Sequence, residues 1–147
     1  MFKTGIIIAA AALLANATPL VPRQNDTRAH EPITIGELGI GHGYQILAWT
    51  PTKTTINDAC TDQASRTVIQ SVNTEIPSNP LCGYPFEVDG ESNMTLLCAD
   101  GTSEDASQVT GIAINGEETH QCVEVPLNIY GTNCGGGSSL WQKYTCQ

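Results

Sequence analysis

The chain has 147 residues, fifteen Asp and Glu against six Lys and Arg, a formal net charge of −9 and 5% aromatic residues. That is one domain's worth of material, and its acidity disfavours nucleic acid and anionic membranes as partners, because phosphate binding needs clustered cations. Scarce aromatics also argue against a carbohydrate-stacking platform, though Trp49, Trp141, Tyr84, Tyr130 and Tyr144 remain as candidates.

Residues 1–17 have the layout of a secretory signal peptide. Lys3 supplies positive charge, Ile6 to Leu14 an apolar stretch too short to span a bilayer, and Ala15-Asn16-Ala17 a small-residue cleavage site. Residues 18–32 read as a leader or flexible arm, with Pro19, Pro22 and Pro32 and no periodicity. Arg23 is a candidate monobasic processing site. Residues 33–147 are expected to form a single domain.

Gly36, Gly39, Gly41 and Gly43 punctuate the start of that domain. They lack phosphate-loop spacing and read as turns or a bulge between strand pieces. Tyr44 to Trp49 predicts a short strand. Asn57 to Asn73 predicts the one helix. Thr55 and Asp58 make a capping box before it, and Ile56, Cys60, Ala64, Val68 and Val72 recur every four residues as an apolar stripe.

Beyond Leu81 the chain reads as hairpins. Tyr84–Val88 and Met94–Ala99 flank Asp89-Gly90, while Val109–Ile114 and Thr119–Val125 flank Asn115-Gly116, a strong two-residue turn signal. Cys134-Gly135-Gly136-Gly137-Ser138-Ser139 reads as a flexible loop, and Leu140–Cys146 as the last strand. The expected fold is therefore α+β: one helix packed on an antiparallel sheet of hairpins.

The six cysteines, Cys60, Cys82, Cys98, Cys122, Cys134 and Cys146, all follow the signal segment. An even count in an exported chain predicts three disulfides. No pair has C-x-x-C spacing, which disfavours zinc and thioredoxin-type chemistry. Cys82 and Cys98 flank the Asp89-Gly90 turn symmetrically, so a hairpin there would pair them; spacing does not choose the other partners.

Catalytic signals are weak. His42 and His120 with a nearby carboxylate would suit a ribonuclease-like hydrolase, but that reading also needs Lys53, Arg66 and Lys143 to converge on one cleft. Ser138 and Ser139 lie outside any nucleophile-elbow pattern. The oxygen-rich turns Asp89–Asn93 and Asp100–Asp105 lack EF-hand spacing. No metal or cofactor is expected. Asn25 and Asn93 head N-glycosylation sequons, with Asn93 near a hairpin tip.

The signal segment, the leader ending Pro22-Arg23-Gln24, the acidic domain and the six spread cysteines together resemble small secreted cysteine-rich proteins of filamentous fungi, of the effector-candidate type. The resemblance carries over no functional residue. It implies an extracellular protein acting on a host or competitor by binding. The expected reading is thus a secreted, non-enzymatic, monomeric virulence-type protein whose partner is an extracellular or host protein. Contacts are expected from the Gly36–Gly43, Thr102–Ala106 and Gly131–Ser139 loops. The alternatives are the His42/His120 hydrolase and a structural cell-wall or surface protein.

A domain of this size buries a modest core, so three disulfides contribute a large share of net stability. Full reduction is expected to unfold the domain or lower its Tm by many degrees. An unchanged thermal melt in strong reductant contradicts this.

Overall fold

A computed structural model describes residues 30–73, 81–99, 109–126 and 131–147. Residues 1–29, with Arg23 and Asn25, lie outside them, as do Tyr130, the Thr102–Ala106 loop and the Asp100–Asp105 turn. Among the described residues the protein is 63% strand and 9% helical. This corrects the α+β expectation: the fold is a nearly closed antiparallel barrel, with no long helix on a sheet.

Strand β1 (Ile33–Ile40) turns through Gly41-His42 into β2 (Gly43–Trp49), with Ile40 opposite Gly43. The Gly36–Gly43 stretch is thus mostly strand, with a two-residue turn at its end. A short helix, α1 (Ile56–Thr61), follows. Thr55 and Asp58 close the expected capping box, with the Asp58 N–H donating to Thr55 Oγ1 and the Thr55 N–H to Asp58 Oδ2, both at 3.2 Å.

The helix then stops. Asp62 caps a 3-10 turn at Gln63–Ser65, accepting from the Ala64 N–H, and Thr67–Asn73 forms strand β3 against β2. The Ser65 hydroxyl, and then the Ala64 N–H, hold the Asp62 carboxyl below the usual carboxylate range. The predicted helix over 57–73 fails for two reasons. The four-residue spacing marks no common face here: a bulge leaves Ile69 unpaired, so Val72 stands opposite Tyr44 while Val68 stands opposite Leu47 on the other face, where it is exposed. Thr67, Val68, Ile69 and Val72 are β-branched, and β2 offers them a pairing edge.

The remaining strands are β4 (Pro85–Val88), β5 (Glu91–Cys98), β6 (Val109–Ile114), β7 (Glu117–Glu124), β8 (Gly131–Gly135) and β9 (Ser138–Cys146). Asp89-Gly90 and Asn115-Gly116 make the expected two-residue turns, all four residues at positive φ. The expected loop over 131–139 is instead the β8–β9 hairpin, in which Gly135 faces Ser138. A glycine run reads as a linker by composition, but here positive φ at Gly135, Gly136 and Gly137 makes a tight reversal.

The sheet order is β3-β2-β1-β9-β7-β6-β5-β4, with β8 pairing β9 beside β7. The ends of this path approach each other, and Thr67 Oγ1 of β3 donates to the Glu87 carbonyl of β4 at 2.6 Å. That contact curbs the exposed edges an open sheet would present. Inside lie Ile35, Ile46, Ala48, Leu81, Met94, Leu96, Ile112 and Tyr144. A second core forms outside the barrel, where α1 covers Leu38, Leu47, Trp49 and Leu140 with Ala59 and Cys60.

Three disulfides fasten this arrangement. Cys60–Cys134 ties α1 to β8, Cys122–Cys146 ties β7 to β9, and Cys82–Cys98 closes the β4–β5 hairpin. Arg66 donates to the Ala59 and Cys60 carbonyls at the end of α1. Burial pushes its guanidinium below the usual range, and Asp62 opposes that shift.

Gly36 lies at a register shift between β1 and β9, under the Trp49 ring. A Cβ there would sit 2.7 Å from the indole and 2.9 Å from the Trp141 carbonyl. Gly36→Ala is expected to destabilise the fold by about 1–3 kcal/mol. Urea unfolding checks this, and a midpoint equal to wild type contradicts it.

Candidate functional site

The two histidines occupy opposite ends of β1. His42 is exposed in the β1–β2 turn, whereas His120 of β7 is 2% exposed. The His120 Nε2–H donates to the Glu31 carbonyl at 2.9 Å, because a carbonyl only accepts. Thr119 Oγ1 meets its Nδ1 at 2.9 Å, and the His30 ring lies 5.5 Å away. Glu31 precedes β1 and His42 follows it, and a strand of this length spans roughly 25 Å. The structure does not bring the pair into one cleft.

The cations are dispersed as well. Lys53 pairs with Glu31 at 2.7 Å and faces Asp89 at 3.7 Å, and its pKa is raised first by the Glu31 hydrogen bond. Arg66 is spent on the α1 carbonyls, and Lys143 pairs with Glu37 at 3.3 Å. Ser138 and Ser139 are ladder residues of β9, opposite Gly135 and Asn133. Among the described residues no three His, Cys, Asp or Glu gather as metal ligands. Asn93 is exposed in β5 at positive φ, and its amide donates to Asn115 Oδ1 at 3.2 Å.

His120, Glu31 and Lys53 therefore act as a latch. They hold the chain entering β1 against β7 and against the β4–β5 turn.

A different group of residues converges around Trp141. In β9 it stands opposite Glu37 of β1 and Gly131 of β8, so all three share one face. That face continues the inner wall of the barrel, since Glu37 also faces Ile46 of the inner core. The neighbouring Leu140 points the other way, into the core under α1.

The indole lies along the sheet. Its pyrrole edge is 2.9 Å from where a Cβ on Gly131 would stand, and its benzo edge 3.3 Å from that of Gly39. A side chain at Gly131 would collide with the ring, and one at Gly39 would crowd it. With glycines beneath both ends, the ring rests close to the backbone and stays 38% exposed. The Glu37–Lys143 ion pair lies beside it, with 25% and 22% of its two side chains accessible. Together these supply one aromatic face, one acceptor and one donor.

Trp141 was visible in the sequence only as one of a few scattered aromatics, and Lys143 only as one of a few cations. Nothing in the linear order joins them to Glu37, Gly39 and Gly131. The chain matches no protein-family model, and neither curated proteins nor solved structures show significant similarity to it.

His120→Ala is expected to cost about 2–3 kcal/mol, through the unpaired Glu31 carbonyl and the space left beside it. His42→Ala is expected to stay within about 0.5 kcal/mol of wild type. Denaturant midpoints of both variants check this. Equal losses would contradict the latch.

Proposed function

We propose that this is an extracellular, non-enzymatic binding protein, effector-like, acting as a monomer on a molecule of a host or competitor. The observation that carries this reading is the Trp141 face: an exposed indole held flat on glycines beside an ion pair, on a scaffold fastened by three disulfides. Rigid aromatic anchors bind at small entropic cost, because little freedom remains to be lost. The disulfides are compatible with an extracellular setting. Among the described residues no helix is long and apolar enough to cross a membrane.

The separation of His42 from His120, and the pairing of Lys53, Arg66 and Lys143 with different partners, lend the hydrolase alternative no support. On an export route, Asn93 is an exposed sequon and a glycosylation acceptor.

The test is retention on intact cells and walls of candidate target organisms. Labelled wild-type protein is compared with Trp141→Ala and with Val123→Ser, a control at another exposed apolar position. Wild type and Val123→Ser are expected to be retained alike, with Trp141→Ala reduced about tenfold or more. Equal retention of all three proteins overturns the reading.

A further inference from the structure

We infer that the Trp141 face takes a neutral glycan, stacking a hexose ring on the indole while hydroxyls of the ring engage Glu37 and Lys143. The inference rests on the reading of that face as the binding surface, and it names the ligand chemistry.

The argument begins with shape. Gly39 and Gly131 lay the indole down along the sheet, and 38% of Trp141 stays exposed. The face of an aromatic ring carries negative quadrupole charge and attracts weakly positive C–H groups. One side of a pyranose is such a C–H surface, while its rim is hydroxyl. Glu37 stands opposite Trp141 across the strand pair, and Lys143, two residues further along β9, lies 3.3 Å from it, so an acceptor and a donor sit together. A hydroxyl both donates and accepts, so neighbouring hydroxyls satisfy both groups at once.

Charge narrows the choice further. Lys143 neutralises Glu37 at the site, so neither a cation nor an anion gains there. The whole chain carries a net charge of −9, which repels polyanions, including nucleic acids whose bases would otherwise stack on an indole. A protein partner would want a wider apolar patch, and the adjoining Leu140 is fully buried on the opposite face. A ligand with one apolar face, a hydroxyl rim and no charge fits best.

The chain has two tryptophans, and Trp49 is 2% exposed, so the two indole N–H resonances of nitrogen-labelled protein separate the site from the core. The probes are hexamers of β-1,4-glucose, β-1,3-glucose and β-1,4-N-acetylglucosamine, with a galacturonate hexamer as the anionic contrast. At least one neutral hexamer is expected to shift the Trp141 resonance and leave Trp49 in place. Trp141→Ala should abolish binding, Trp141→Phe weaken it severalfold, and Glu37→Gln weaken it severalfold with the melt unchanged.

If no neutral hexamer moves Trp141 while Trp141→Ala still loses cell retention, the glycan inference falls and the binding reading stands. If neither effect is seen, both fall. If galacturonate binds as well as the neutral hexamers, the assignment of a neutral ligand is overturned.

Discussion

One extra residue in β9 governs the arrangement. Opposite the Ile35–Gly36 step of β1, the chain passes from Tyr144 to Gln142, so Lys143 has no partner of its own on that strand. Such a bulge reverses which side chains face which way beyond it. Tyr144 and Cys146 therefore point into the barrel, while Leu140 points into the core beneath α1. Trp141, which strict alternation from Tyr144 would have turned under the helix, lies on the inner face instead. The displaced Lys143 meets Glu37.

The same strand divides its partners. The C-terminal half of β9 pairs with β7 and its N-terminal half with β8. A disulfide reinforces each half: Cys122–Cys146 locks the β7 pairing, and Cys60–Cys134 holds β8 to α1. Both bridges close long loops, the second across 74 residues, where restricting the unfolded chain has the larger effect. The Trp141 face is thus flanked by β1, itself paired on both sides, and by β8, held through a covalent bridge. Its geometry is rigid for reasons unrelated to any ligand.

At the other end of β1, the polar groups do structural work. His120 and Lys53 hold the chain entering the barrel, and the Thr67–Glu87 contact draws the sheet ends together. These groups include the histidine and one of the cations that a catalytic reading would need. Their partners are backbone carbonyls and structural carboxylates, which explains why they do not converge.

Local chemistry made much of the barrel readable from the chain. Asp89-Gly90 and Asn115-Gly116 announce their turns because positive φ favours those residues, and Cys82 and Cys98 follow as partners across the first. The Thr55–Asp58 cap is likewise a matter of neighbours. The apolar spacing over 63–73 suggests a helix, but a bulge puts Val68 and Val72 on opposite faces of β3, and the β-branched run pairs with the free edge of β2, which no local signal announces. The glycine-rich stretches were misread because glycine signals freedom, whereas Gly36, Gly39 and Gly131 are present for the room they leave to two indoles. The sequence by itself determined the turns, the cap and the requirement for paired cysteines, since each depends on residues a few positions apart. Only the folded chain settled the barrel, the other two disulfides and the Trp141 face, because strand pairing and the β9 bulge bring together residues such as Glu37 and Trp141, about a hundred positions apart, and set which way they point.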